Sequence, residues 1–166
     1  MRKILAVLLL LALLLAGGCG SDTLEGKEYL VYFLDQTEDS AQALKAESRT
    51  LDPEDEVVEG LLQVLLSGPE SEMLTRVIPA SVSLRSWTLH NGLLTVDLSG
   101  SYGTLSGIDL TLADYSIVLT LTQLEEVEAV MITVDGQVLS YRDHQRLTAE
   151  DVKTAVLQDE ILENAD

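Results

Sequence analysis

The chain has 166 residues, with 28 Asp and Glu against 10 Lys and Arg, for a formal net charge of −18 at pH 7. So acidic a polymer repels nucleic acid and anionic lipid headgroups, which sets both aside as direct ligands. Its length suits one domain with a core of its own.

Arg2 and Lys3 precede an uninterrupted apolar run from Ile4 to Ala16. As a helix that run would rise about 20 Å, short of the roughly 30 Å hydrocarbon core, so it predicts a cleaved secretory signal rather than a permanent span. The small residues behind it end in Ala16-Gly17-Gly18-Cys19, and Cys19 is the only cysteine. This resembles the lipobox of bacterial lipoproteins, which implies lipidation of Cys19 and its exposure as the new N-terminus. Ala16 departs from that pattern where leucine is usual; Leu15 stands one place early. The alternative is an ordinary signal peptide that leaves a free thiol. A lone cysteine has nothing to form a disulfide with. Acyl chains there would hold the protein on a membrane, at about 0.8 kcal/mol per buried methylene. Removing residues 1–18 leaves 148 residues and eight of the ten cations, a balance of −20 against 28 acids.

Residues 19–27 form a short polar tether. Glu28 to Leu34 is apolar on both alternating faces and predicts a strand covered on two sides. Asp35 to Ser40 reads as loop, and Leu44 to Leu51 as an edge strand with Lys45, Glu47 and Arg49 on one side. A helix follows: Asp52 as N-cap, Pro53 in the first position, Asp55 in the first turn. Val57/Val58, Leu61/Leu62 and Leu65/Leu66 make its apolar stripe, and Ser67-Gly68-Pro69 ends it. A helical turn over Glu70 to Arg76 is expected next.

Val82 to His90 and Leu93 to Ser99 flank Asn91-Gly92, a strong two-residue hairpin signal. That turn sets Leu89 opposite Leu94, Trp87 opposite Val96 and Ser86 opposite Asp97. Trp87, Leu89, Leu94, Val96 and Leu98 then share a core face, and Asp97 lies on the wetter one. Ser99 to Asp109 reads as loop. Leu110 to Leu124 has the Ile, Val and Thr content of a strand, yet Ala113, Ile117, Leu121 and Leu124 fit a helical stripe, and its length favours helix. Glu128 to Val134 is a strand, Asp135-Gly136 a second tight turn, and Gln137 to Tyr141 its return. Thr148 with Asp151 makes an imperfect capping box for an acidic C-terminal helix or tail, residues 148–166. The order predicts an α+β two-layer sandwich, mostly antiparallel sheet with helices on one face.

Chemistry is hard to find. The chain lacks G-x-S-x-G, S-x-x-K and H-E-x-x-H, and its glycine-rich SGSYGTLSG lacks both the Walker lysine and Rossmann spacing. His90 and His144 read as surface residues near turns. DPEDEVVEG lacks the ligand alternation of an EF-hand, so the acids read as solvated surface. One Trp and one Phe leave few platforms for sugar stacking. Asp97, Ser99 and Tyr102 remain as a cluster at the hairpin exit. With no histidine or lysine placed to activate Ser99, they read as loop anchor and a surface for recognition, with an unrecognised active site as the alternative. Arg49 is expected to pair with Asp97 or Glu47 and so to organise the loop after the hairpin.

LKAESRTL, VVEGLLQVLLSGP, VIPASVSLRSWTLHNGLLTVDLS and SIVLTLTQLEEVEAVMITVDGQ together resemble the GerMN domain family of sporulation and spore-germination proteins, over about Glu28 to Asp143. The matching positions are Glu47 and Arg49, Gly68-Pro69, Pro79, Gly92, Val96 to Ser99, Thr120 to Thr122 and Asp135-Gly136; the acidic tail after Thr148 is additional. A GerMN-like domain over residues 28–147 is therefore expected. The resemblance implies a fold similar to ring-building motifs and a non-catalytic extracytoplasmic module, with no catalytic residues, metal or cofactor to carry over. The partners it implies are the membrane, through lipid on Cys19, and an envelope or spore-associated protein or a second copy. A small-ligand or cell-wall binding lipoprotein, or a hydrolase, is the competing reading.

Overall fold

The computed structural model describes residues 26–36, 44–52, 56–140, 142 and 144–153. The signal segment, Cys19, Pro53, Asp55, Tyr141 and residues 154–166 lie outside these; the first helix has its N-cap at Glu56 and not at the expected Asp52.

Among the described residues, eight strands and the two helices that follow build an α+β fold. Strand β1, Lys27–Asp35, pairs antiparallel with β2, Leu44–Leu51, along its whole length. Helix α1, Val57–Ser67, buries Val58, Leu61, Leu62 and Leu65, the stripe its sequence spacing predicts. It ends at Gly68, whose φ of 89° suits only glycine, and whose N–H donates to Val64 O at 3.2 Å. Gly60 lets α1 approach β2 closely; a Cβ there would meet Leu51 Cδ1 at 3.1 Å.

The helical turn expected over Glu70 to Arg76 is instead a bend leading into β3, Leu74–Thr75. Its two residues pair with Asp35 and Leu34 of β1, so an available strand edge overrides a weak local helical preference. Strands β4, Leu84–His90, and β5, Leu93–Leu98, form the first tight hairpin in the register its turn predicts. Asn91 and Gly92 both have positive φ, 49° and 76°, as a type I′ turn requires.

The segment expected to be loop after Ser99 contains a 3-10 helix, Gly100–Thr104, and the start of α2, Gly107–Leu121. Helix α2 returns the chain so that β6, Ala129–Val134, lies parallel to β5, a βαβ unit inside an otherwise antiparallel arrangement. Asp135-Gly136 repeats the type I′ geometry, but the returning strand β7 is only Gln137–Val138. β8, Arg146–Leu147, pairs with β6 at Val130 and Met131, a strand too short to show in the sequence pattern. Thr148 and Asp151 do form a reciprocal cap, with the Thr148 N–H donating to Asp151 Oδ2 at 2.8 Å and the Asp151 N–H to Thr148 Oγ1 at 3.3 Å.

The strands fall into two hydrogen-bonded sheets, β2-β1-β3 and β4-β5-β6-β7 with β8 beside β6. Tyr29, Val31 and Phe33 of the first and Leu94, Val96, Leu98, Val130 and Ile132 of the second meet both helices in one core. Each such side chain, fully buried, contributes about 1.5–3 kcal/mol. Among the described residues the other face of β1 is only partly covered, contrary to the expectation of a strand covered on both sides: Tyr32 and Leu34 are half-buried and Leu30 is 46% exposed. The shared core with both helices takes up the Tyr29/Val31/Phe33 side.

Helix α2 lies beside the edge of β1 that β2 leaves free. Gln123 donates to Leu30 O at 2.7 Å and accepts from Leu30 N at 3.0 Å. Thr120 Oγ1 accepts from Tyr32 N at 3.2 Å, and Ser116 Oγ donates to Tyr32 O at 2.6 Å. One turn of helix, 5.4 Å, nearly matches two residues of strand, about 6.7 Å, so polar side chains on successive turns can replace a missing strand.

Candidate functional site

Asp97, Ser99 and Tyr102, within six positions of one another in sequence, are held by separate sets of partners. Asp97 projects from β5 beside β6 and the second tight turn. Its Oδ1 accepts from the Gly136 N–H at 2.7 Å and the Thr133 hydroxyl at 2.8 Å, and its Oδ2 accepts from Arg85 Nε at 3.1 Å. Partial burial works to raise the Asp97 pKa, but these donors and the Arg85 charge outweigh it and hold the carboxyl below its ordinary value. Ser99 Oγ accepts from the Ser83 N–H at 3.0 Å, while the Ser99 N–H donates to Ser83 O at 2.9 Å, closing the strands' far end. Tyr102 is fully buried and donates its hydroxyl to Asp114 at 2.7 Å. Ser99 thus has no base among these partners, and the cluster has the geometry of an anchor.

Arg49 pairs with Glu47, at 2.5 Å, and with Glu70, at 3.0 Å; the cation beside Asp97 is Arg85. Glu47 also accepts from the Glu70 and Ser71 N–H groups, and Arg49 donates to Gly68 O at 3.3 Å. Burial works to raise the Glu47 pKa, whereas Arg49 and the two N–H donors pull it down, with a net lowering. Arg76 donates to Leu66 O and Ser67 O. Two guanidinium groups therefore cap the carbonyl end of α1, where cations oppose the helix dipole favourably. The loop Arg49 organises is the one after α1, not the one after the hairpin.

Sequence reasoning missed Asp114 and Arg142. Arg142 donates to Asp114 Oδ1 at 2.5 Å and to Ile132 O at 2.8 Å, joining α2 to β6, with both side chains less than a tenth exposed. Burial pushes the Asp114 carboxyl up, and Arg142 and the Tyr102 hydroxyl reverse this only in part. An acid on a helix apolar all round was the available sign, because such a group needs a buried partner. Among the described residues no group of three His, Cys, Asp or Glu is placed to hold a metal ion. His90 is exposed with Nε2 3.0 Å from Asn91 Nδ2.

An open surface lies on the other side of the second sheet. β4 is its edge strand. Because His90 and Leu93 flank a two-residue turn, His90, Thr88 and Ser86 bond inward to β5, and Trp87 and Leu89 turn their N–H and C=O groups outward. Between this edge and α1 runs a groove of about 660 Å³, lined by Glu59, Gln63 and Leu66 of the helix and by Val82, Leu84 and Trp87.

A family model described as "Germane: Sporulation and spore germination" matches residues 30–140, two thirds of the chain. The chain belongs to the Germane family. The first GerMN domain of the sporulation protein GerM from Bacillus subtilis superposes with a TM-score of 0.63 at 19% identity, covering 75% of this chain and 99% of that one. The tandem GerMN domains of the same protein give 0.61 at 23% identity, covering 80% of this chain and 47% of that one. The chain thus spans about half the length of the tandem structure, and at these identities the likeness is one of fold. Among curated proteins no sequence matches it.

The Germane domain here makes its motifs meet in pairs. Asp97, from Val96-Asp97-Leu98-Ser99, binds the N–H of Gly136 from Asp135-Gly136. Glu47 and Arg49 hold the turn that begins at Gly68-Pro69. Thr120, between Ser116 and Gln123, caps the edge of β1. Each motif joins two elements that are distant in sequence.

Proposed function

We propose that this Germane domain is a lipid-anchored, extracytoplasmic, non-catalytic interaction module that works in a sporulation, germination or cell-envelope complex. The observation that carries the reading is the contrast between occupied and open chemistry. Asp97, Ser99 and Tyr102 are each engaged in holding the fold, while a strand edge with outward backbone groups is left open beside a groove. Exposed edges and grooves are how sheet-plus-helix modules recognise protein partners. The signal segment and lipobox support export and attachment through Cys19, and the family supports the sporulation and germination setting.

Expression of wild type and Cys19→Ser in a bacterial host, with palmitate labelling and membrane fractionation, tests the anchor. Labelled, membrane-bound wild type and an unlabelled variant are expected; equal release of both forms from the membrane overturns it. Sedimentation of the soluble domain with solubilised envelope extract tests the module. A partner-dependent increase in sedimentation rate is expected, and a strictly monomeric, partnerless protein rejects that half of the proposal.

A further inference from the structure

Building on the interaction-module reading, we propose that the groove between α1 and the open edge of β4 takes an extended segment of a partner protein as an added strand. Trp87 and Leu89 present backbone donors and acceptors that meet no other strand among the described residues. Such a row is complementary to another extended backbone and to little else. Alternate side chains of the added strand would point the same way as Trp87 and enter the groove.

The lining defines the chemistry of the occupant. Leu66, Val82, Leu84 and Trp87 form its apolar part, which suits Val, Ile or Leu at every second position. Trp87 is half-buried, leaving part of a large ring available for contact. Glu59 stands exposed on the helix wall, with Gln63 as its hydrogen-bond partner, and favours a Lys or Arg on the incoming segment. Arg85, on the strand side, is already matched by Asp97 and Asp135.

Charge argues against the two occupants this chain could supply itself. A second copy would bring another chain of net charge −18. The terminal residues 154–166 carry Asp159, Glu160, Glu163 and Asp166, which Glu59 would repel. A foreign, extended, apolar and basic segment fits both the backbone row and the groove.

The test is selection of short random peptides displayed on phage against the folded soluble domain, followed by synthesis of the enriched sequence. The expected peptide alternates apolar residues and carries a cation. On binding it should protect the Trp87 and Leu89 amides from hydrogen exchange. N-methylation of the peptide amides facing β4 should weaken binding about three- to tenfold each, and N-methylation of the alternate amides much less. Glu59→Lys, a surface change, should weaken the basic peptide and shift selection toward acidic ones.

Enriched peptides that leave Trp87 and Leu89 unprotected, or tolerate N-methylation at every position, overturn the strand-addition proposal while the interaction reading stands. Tighter binding after deletion of residues 154–166 would make the chain's own tail the occupant, and a dimer dissociated by the peptide would make it a second copy; either overturns the foreign partner. A domain that enriches no peptide and also sediments alone with envelope extract loses both readings.

Discussion

At the scale of single residues, Asp97 and Asp114 each join segments that are distant in sequence. Asp97 gathers donors from β4, β6 and the second turn, and its lowered pKa records their attraction for the ionised form. In the unfolded chain an aspartate titrates at about 4. A depressed folded value means stability that is present above this pH and lost as pH falls through the folded pKa. Wild-type stability is therefore expected to fall below about pH 5, with Asp97→Asn costing about 1–3 kcal/mol at neutral pH and flattening that acid limb. Urea unfolding of both proteins across the acid range checks it; parallel curves of equal slope would contradict the assignment. Asp114 has the opposite sign, since its raised pKa weakens the fold as pH rises above the unfolded value. Its pair with Arg142 makes a separate prediction. Arg142→Met should cost about 3–5 kcal/mol by leaving a buried carboxylate unpaired, whereas adding Asp114→Leu should recover most of the loss. A double-mutant cycle measures this, and additive losses would remove the pairing as the cause.

At the scale of elements, α2 shows why a helix can resemble a strand in composition. A surface helix needs one apolar stripe, but α2 buries residues on several sides, among them Ile117, Val118 and Leu121, so its apolar residues follow no single stripe. Its Ser116 and Thr120, and Gln123 just beyond its end, are polar because they serve the backbone of β1. Replacing them together, as Ser116→Ala, Thr120→Val and Gln123→Leu, removes the partners of two N–H and two C=O groups and bares an edge. A lower Tm and concentration-dependent association are expected, because unpaired edges template strand pairing. Thermal melting and light scattering decide it; an unchanged Tm in a monodisperse variant would show that the cap is dispensable. Among the described residues, one strand edge is thus covered with side chains and that of β4 pairs with no strand on its outer side.

At the scale of the whole molecule, two sheets share one core, and the charged joints sit where chain segments from different parts of the sequence meet. Glu47 and Arg49 tie β2 to the end of α1, Asp97 ties β5 to β4, β6 and the second tight turn, and Asp114 and Arg142 tie α2 to β6. Adjacent residues specify the local features: both type I′ turns, the register of the first hairpin, the stop at Gly68, the Thr148–Asp151 cap and the stripe of α1. Those depend on φ limits, periodicity and hydrogen bonds spanning a few residues, which adjacent residue types specify. The family, too, was legible, through the order of its motifs. Contacts between distant segments settle the rest: that β5 and β6 run parallel, that β3 forms at all, that Arg85 and not Arg49 serves Asp97, and that Leu30 of β1 is exposed. Each depends on which distant backbone or charge arrives nearby, and one sequence of adjacent residues carries no record of that arrival.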